Sequence, residues 1–204
     1  MLDAQKPGNS DNLAKKGIRW ALEHDAKVIN ISAAGGPNSE VRKKAISEAI
    51  ERNAIVVASA GNKPEDSIVQ FPAYIEGVVA VSATNKDGNA ASFSITGNQI
   101  SLAAPGSDIP TLGLDSTYTS GTGTSASAAI VSGVAALVWS RYPELSAAEV
   151  VHRMTATAVD KGAPGRDPEY GFGIVDPVAA LTADVPPLSA SAGPSPSGTP
   201  ARKP

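Results

Sequence analysis

A serine at the start of an apolar segment is the first feature of the sequence suited to chemistry. Residues 120–125 read Ser-Gly-Thr-Gly-Thr-Ser and lead into residues 126–142, which are apolar on nearly all sides and predict a buried helix. The first turn of a helix presents unpaired backbone N–H groups and the positive end of its dipole. Both favour the oxyanion that forms during acyl transfer, so Ser125 is a candidate nucleophile. The alternative is that Ser125 or Thr124 only caps the helix.

A second candidate is an asparagine that directly follows an apolar strand. Residues 54–59 read Ala-Ile-Val-Val-Ala-Ser, and the chain continues through Ala60 and Gly61 to Asn62. The glycine lets the chain turn, so that the Asn62 carboxamide points into the space above the sheet. Open parallel sheets bind ligands at the carboxyl ends of their strands, where Asn62 is expected. The alternative is that Asn62 only closes the turn.

Short β-branched runs alternate with segments of helical period along the chain. Continuous apolar strands joined by helices indicate a parallel sheet covered on both faces, an α/β fold of three layers. The second helix has an apolar stripe formed by Val41, Ala45, Ile46, Ala49 and Ile50, and it begins after the capping residue Ser39. The predicted strands are 27–32, 54–59, 77–83 and 99–103, and the predicted helices are 11–24, 40–52, 126–142 and 147–156, the last opened by a capping box at residues 146–149.

Composition narrows the class of protein. The 204 residues include no cysteine, 42% are hydrophobic, and the formal net charge is -3. A single soluble domain is expected, without thiol nucleophiles or cysteine-ligated metals. The near-balanced charge gives no electrostatic reason to expect a nucleic-acid or anionic-membrane partner. Residues 1–181 are predicted to form the domain, and the Pro/Ser/Ala-rich residues 182–204 a disordered tail or linker.

The segment around Ser125 resembles a known family. Residues 123–137 read Gly-Thr-Ser-Ala-Ser-Ala-Ala-Ile-Val-Ser-Gly-Val-Ala-Ala-Leu, similar to the nucleophile helix of subtilisin-like serine peptidases (subtilases, S8-type), whose pattern is Gly-Thr-Ser-x-Ala-x-Pro-x-Val-x-Gly. Residues 28–32, 58–62, 103–106 and 170–177 resemble further motifs of that family, in the family's order. The Pro-rich tail is similar to that of mycosin-like peptidases of type VII secretion, which carry a membrane helix after the catalytic domain.

The resemblance implies a role for each matching residue. Ser125 would be the nucleophile of a serine endopeptidase, and Asn62 would donate to the oxyanion beside the Ser125 N–H group. Substrate-binding positions would be Ser32, Ala33, Ala34, Gly35 and Gly61. The departures from the family pattern include Ala34 in place of glycine and Ala129 in place of proline. Calcium is common in the family, but no carboxylate cluster here identifies a ligand, and no other cofactor is implied.

The family's base and its orienting carboxylate have no match in the sequence. Subtilases carry them in Asp-x-Gly and His-Gly-Thr motifs upstream of the segment matched here. Neither His24 nor His152 precedes a glycine, and Asp3 lacks the glycine of the Asp motif. The chain is therefore expected to be the C-terminal portion of a catalytic domain, nearly inert alone, with a missing N-terminal segment as a partner. The resemblance also implies an extracellular or cell-envelope location, although the N-terminus has no signal-peptide pattern and any membrane contact would come from sequence outside this chain.

Two other functions stay open at this point. An inactive peptide-binding or scaffold remnant of a subtilase would explain the missing Asp and His motifs. The other is an α/β hydrolase or a ligand-binding fold in which Ser125 caps a helix by coincidence. An α/β hydrolase would need Gly-x-Ser-x-Gly around its nucleophile, and Ser127 stands where the last glycine would be. Loss of the first strand and the His helix would also expose one flank of the sheet, so the chain alone is expected to be poorly soluble.

Overall fold

A four-stranded parallel sheet forms the centre of the fold. The computed structural model describes residues 9–33 and 39–188. The strand order is β1-β2-β3-β4, so the chain crosses the sheet in one direction, and β5 and β6 form a separate antiparallel hairpin. The elements are α1 (Asn9–Glu23), β1 (Val28–Ile31), α2 (Glu40–Glu51), β2 (Ile55–Ser59), β3 (Val79–Thr84), β4 (Ile100–Pro105), β5 (Ile109–Leu112), β6 (Tyr118–Gly121), α3 (Thr124–Arg141), α4 (Ala147–Ala156) and α5 (Pro177–Thr182).

Both faces of the sheet are buried under helices, which confirms the predicted α/β fold of three layers. Alternate residues of a strand point to opposite faces, and β2 is apolar at almost every position. Val56 and Ala58 pack with α1 and α2 in one core, whereas Ile55 and Val57 pack with α3, α4 and α5 in the other. The sheet is therefore the middle layer, and its position relative to α3 is fixed by apolar packing.

The predicted helix starts at Ser39 and Ser146 are confirmed. The Ser39 hydroxyl accepts a hydrogen bond from the N–H of Arg42, and Ser146 forms a reciprocal capping box with Glu149. The predicted stripe of α2 is wrong at one position, because Val41 is 43% exposed. Arg42 is buried instead, with its guanidinium over the ring of Phe71.

Helix α3 is not buried on all sides, contrary to the expectation from its apolar sequence. Val131, Ala135 and Val138 lie in the core against the sheet, whereas Leu137 is 54% exposed. The helix therefore presents an apolar face that is partly exposed. None of the helices in the described ranges combines the length and the apolar character needed to cross a bilayer.

The hairpin and the short helix α5 were not predicted from the sequence. Ser120 and Gly121, which precede the predicted helix 126–142, belong to β6. Helix α5 is capped by Asp176, whose carboxylate accepts from the N–H of Ala179, and it begins with Pro177. After α5 the structure describes the chain as far as Leu188, so the proposed division of the chain at residues 181 and 182 stays a prediction.

The two edges of the sheet differ. Residues 172–175 run beside β4, where the N–H of Val175 donates to Ala103 O and the N–H of Ala103 donates to Gly173 O, each at 2.9 Å. On the other side, β1 pairs with β2 only, among the residues that the structure describes. Strand β1 is therefore the open edge, and it is also the strand that leads to Ser32.

Candidate active site

The carboxyl ends of three strands meet the first turn of α3. Strand β1 leads to Ser32, β2 to Gly61 and Asn62, and β4 to Gly106. Each of these segments makes a hydrogen bond to residues 123–125 at the start of the helix. The sheet and the helix thus bring together residues that are 93 positions apart in the chain. This is the place in a parallel sheet where ligands bind.

Ser125 is held by a reciprocal pair of hydrogen bonds with Ser32. Its hydroxyl donates to the carbonyl of Ser32, and the hydroxyl of Ser32 donates to the carbonyl of Ser125, both at 2.9 Å. Helix α3 begins at Thr124, and its N-cap is Gly123, which makes no side-chain cap bond. The capping alternative for Ser125 and Thr124 is therefore wrong, because both lie inside the helix.

Asn62 connects the end of β2 to the same helix turn. Its carboxamide oxygen accepts from the backbone N–H of Thr124 at 2.9 Å and lies 3.2 Å from the Thr124 hydroxyl. The side chain thus leaves its own turn and contacts α3, so Asn62 does more than close the turn. Because the oxygen end of the amide is occupied by Thr124, the two N–H groups of Nδ2 are left to donate elsewhere.

The backbone around Asn62 is fixed by its neighbours. Gly61 has a φ of +111°, and a Cβ there would lie 2.7 Å from the Asp66 carboxylate, so the turn requires glycine, as expected. The Asp66 carboxylate accepts from the N–H of Asn62 at 2.9 Å. The N–H of Gly61 donates to the Thr124 hydroxyl at 3.2 Å. Asp66 and Thr124 therefore position Asn62.

Ser127 and Gly106 also fix the start of α3, and the sequence did not indicate their roles. The hydroxyl of Ser127 is buried and lies 3.0 Å from Ala104 O and 3.1 Å from Pro105 O. The N–H of Gly123 donates to Gly106 O at 2.8 Å. The available signal for Ser127 was a hydroxyl within a mostly apolar segment that was predicted to be buried, because a buried hydroxyl needs a partner.

The expected substrate-binding residues are only partly described. Ser32 and Ala33 follow β1, and Ser32 contacts Ser125, whereas Ala34 and Gly35 lie outside the described residues. A groove of about 350 Å³ lies between the β5–β6 hairpin and α3, with Ala126, Ala129 and Ile130 on its helix side. A larger cavity of about 500 Å³ lies at the far end of α3, between Val28 and Trp139.

Neither histidine is placed to act on Ser125. His24 follows α1, before the amino end of β1, and its Nδ1 is 2.8 Å from Trp20 O. His152 lies in α4, and its Nε2 is 3.2 Å from Pro186 O, beside the segment that follows α5. Among residues 9–33 and 39–188, no group of three or more His, Asp or Glu side chains is arranged to hold a metal ion. The described residues therefore supply a serine, a carboxamide and helix N–H groups.

Comparison with known proteins places the chain in one family. The model of the subtilase family matches residues 1–173. The chain is 33% identical over 181 residues to minor extracellular protease Epr from Bacillus subtilis, covering 89% of this chain and 28% of that protein. It is 35% identical over 226 aligned positions to mycosin-5 from Mycobacterium tuberculosis, covering 90% and 38%.

A solved structure agrees with the sequence relatives. MycP1 from Mycobacterium smegmatis superposes with a TM-score of 0.77 at 30% identity, over 98% of this chain and 63% of that chain. This chain thus spans less than two thirds of the length of each of these relatives. The fold and the ordered motifs agree with the family match, and the chain belongs to the subtilase family.

Proposed function

We propose that this chain supplies the nucleophile and the oxyanion-binding half of a serine endopeptidase site, which cleaves peptide bonds through an acyl-enzyme on Ser125. One observation carries the proposal: at the start of α3, Ser125 is adjacent to Thr124, whose N–H is bonded to the Asn62 carboxamide. A hydroxyl, helix N–H groups and an amide donor at one site are what acyl transfer requires.

Each side chain then has a defined task. The Ser125 oxygen attacks the carbonyl carbon of the peptide, while the N–H of Ser125 and Nδ2 of Asn62 donate to the oxygen that becomes negative. In the structure the Ser125 hydroxyl donates to Ser32 O, so attack requires that hydroxyl to turn from this carbonyl toward a base. The Thr124 N–H holds the Asn62 oxygen and thereby directs the amide nitrogen.

Substrate binding is proposed along the continuation of β1. Residues 32–35 would pair their backbone with an extended peptide, a mode of recognition in which main-chain hydrogen bonds give affinity. Gly61, which follows the neighbouring strand β2, is proposed to contribute to the same peptide-binding site. The class of substrate is therefore a peptide or protein in extended conformation, and the mechanism uses no organic cofactor. Calcium binding stays a proposal without identified ligands.

The base and its orienting carboxylate are proposed to come from an Asp- and His-bearing subtilase segment. The proposal is supported by the positions of His24 and His152, which bond to Trp20 and Pro186. The mechanism needs a histidine at the serine hydroxyl and a carboxylate behind it. Because Epr is named an extracellular protease, we propose an extracellular or cell-envelope location for this protein as well.

A fluorophosphonate probe tests this function directly. The probe should label Ser125 when the chain is joined to an Asp- and His-bearing subtilase segment, and Ser125→Ala should abolish the label. The chain alone should be labelled far more slowly, because loss of the histidine costs on the order of 10⁶ in turnover in subtilisin. Intact-mass analysis and peptide mapping identify the labelled residue. No label on Ser125 in the joined form contradicts the proposal.

The second candidate is an inactive peptide-binding remnant. It is favoured by the reciprocal Ser125–Ser32 pair, in which the Ser125 hydroxyl already donates to the carbonyl of Ser32. This candidate predicts that the joined form binds an extended peptide in calorimetry but is neither labelled nor able to cleave it. Labelling of Ser125 together with cleavage of the same peptide would exclude it.

A further inference from the structure

A ladder of polar side chains joins β1 to α3 behind the candidate nucleophile. We define this strand–helix ladder as Asn30, Ser32, Ser125 and Ser132. Its inner rung is the reciprocal pair between Ser32 and Ser125. Its outer rung is the contact of 3.2 Å between the Ser132 hydroxyl and Oδ1 of Asn30, which shares the single proton of this hydroxyl with Ala128 O at 2.8 Å in the same helix. The two rungs are joined by Nδ2 of Asn30, which donates to the Ser32 hydroxyl at 2.8 Å.

The spacing of the four residues matches the periods of their elements. Asn30 and Ser32 are two positions apart on an extended chain, so they share one face of β1. Ser132 follows Ser125 by seven positions, which is close to two turns of helix, so both lie on one side of α3. The ladder therefore connects one face of the strand to one side of the helix at two points.

Asparagine suits its place in this ladder. A carboxamide can donate through its nitrogen and accept through its oxygen at the same time, whereas a carboxylate can only accept. Asn30 does both, toward Ser32 and Ser132 respectively. Among the described residues β1 has a strand partner on one side only, so these side-chain bonds add to the apolar packing that holds β1 against α3.

A change in the position of Ser32 would directly change the position of the nucleophile Ser125. Ser32 contacts Ser125 through two bonds, one to its hydroxyl and one to its carbonyl. The hydroxyl of Ser32 is in turn held by Asn30. Asn30 is exposed, so water competes for its hydrogen bonds and its loss has a modest effect.

We propose that Asn30 and Ser132 are positioning residues that set the orientation of Ser125 through Ser32. The inference rests on the proposed function, because it concerns the reactivity of Ser125 as a nucleophile. It assigns a task to Ser132, which lies outside the Gly-Thr-Ser motif. It also accounts for the polar pair formed by an exposed residue of a short strand and a serine in the mostly apolar part of α3.

The test is the rate at which a fluorophosphonate labels Ser125 in the form that carries the Asp- and His-bearing segment. In this reaction the serine oxygen bonds to phosphorus, fluoride leaves, and the serine proton passes to the base. Asn30→Asp keeps the acceptor for Ser132 but removes the donor to Ser32, and should slow labelling by about fivefold to tenfold. Ser132→Ala should slow it by about threefold, and Ser132→Thr should restore the rate because it keeps the hydroxyl.

Matched controls separate orientation from general loss of structure. Ser140→Ala changes an exposed serine of the same helix, two turns beyond Ser132, and should leave the rate unchanged. The double variant Asn30→Asp/Ser132→Ala should be no slower than Asn30→Asp, because both changes interrupt one path. Thermal unfolding of every variant shows that labelling is measured on folded protein.

The outcomes are distinguishable. Slow labelling of Asn30→Asp and Ser132→Ala, with a normal rate for Ser132→Thr and Ser140→Ala, supports the positioning role. Normal labelling of all four single variants overturns the inference and leaves the proposed function intact. Absence of any label on Ser125 in the unsubstituted protein overturns the proposed function and this inference together.

Discussion

At the scale of single residues, the orientation of the Asn62 carboxamide distinguishes a catalytic role from a structural one. Its oxygen accepts from the N–H of Thr124, and its nitrogen is proposed to donate to the oxyanion. The two ends of one side chain therefore have different tasks. A substitution that preserves one end and removes the other separates these tasks.

Asn62→Asp is that substitution. A carboxylate still accepts from the Thr124 N–H, so α3 should remain attached to β2, but no donor is left for the oxyanion. We expect the turnover of the joined form to fall by at least about 10²- to 10³-fold, the loss reported for removing an oxyanion donor in subtilisin. Steady-state peptide cleavage and thermal unfolding measure the two effects. A variant with wild-type turnover would show that Asn62 is structural only.

Gly106 is the basis of a second prediction at the scale of single residues. Neighbouring atoms already fill the space that a side chain at this position would occupy. A Cβ at this position would lie 2.4 Å from the Ser127 hydroxyl and 2.7 Å from the Ala83 methyl. We expect Gly106→Ala to lower the free energy of unfolding by about 1–3 kcal/mol, the typical cost of overpacking. Denaturant titration measures the change.

The matched comparison is Ser127→Ala. Alone it removes a buried bond to the β4 carbonyls and should destabilise the fold. Combined with Gly106→Ala it also removes the closest clashing atom, so the double variant should be more stable than the sum of the two single effects. Additive effects would show that the clash with Ala83 dominates.

At the scale of elements, the sequence predicted helices and strands correctly where the signal lies within one short segment of the chain. The capping residues Ser39 and Ser146 and the four parallel strands follow from short motifs and apolar runs. The hairpin was missed because β5 contains Pro110 and is mostly exposed, so it shows neither alternation nor an apolar run. Helix α5 is only six residues long, although Asp176 followed by Pro177 was a readable start signal.

The candidate site was predictable only in part, for a physical reason. Ser125 and Asn62 belong to motifs that can be read along the chain. The contacts of Asn30 with Ser132 and of Gly106 with Gly123 depend on how β1 and β4 approach α3. Such contacts arise from the packing of distant segments and leave no periodic signal in the sequence. The burial of α3 was overestimated, because an apolar helix sequence does not show which parts of the protein pack against each side of the helix.

The capping box of α4 gives a pH-dependent prediction. The N–H of Ser146 donates to the Glu149 carboxylate at 2.8 Å, and this bond, followed by that of the Ser146 hydroxyl, lowers the pKa of Glu149 below its ordinary value of 4.5. A lowered pKa in the folded state means that the stabilisation is present above the unfolded pKa. It is lost as the pH falls through the folded pKa.

Glu149→Gln should therefore be less stable than the wild type at neutral pH, and the difference should shrink as the pH falls below 4.5 and then through the lowered pKa of Glu149 in the folded state. Thermal unfolding as a function of pH measures both proteins. Glu144→Gln, on the neighbouring exposed surface, is the control and should show no comparable effect. An unchanged difference at acidic pH would mean that the charge of Glu149 contributes nothing to the cap.

At the scale of the whole molecule, the outer side of β1 is expected to determine whether the chain associates when it is expressed alone. Residues 172–175 cover β4, but the outer side of β1 has no strand partner among the described residues. Beside this edge, a cavity of about 500 Å³ is lined by Val28, Ala136 and Trp139. An open strand edge next to an apolar surface favours association with another chain.

We therefore expect the chain expressed alone to associate through this flank, and Ala136→Glu to reduce the association. Ala136 is exposed and lies on a helix, so glutamate can be accommodated while placing a charge beside the β1 edge. Leu112→Glu is the matched control, because Leu112 is 75% exposed on the separate hairpin. Light scattering at several concentrations should show fewer large species for Ala136→Glu than for Leu112→Glu. If the unsubstituted chain is monomeric, the open flank does not drive association. If only Leu112→Glu restores solubility, the apolar hairpin drives the association and the β1 edge does not.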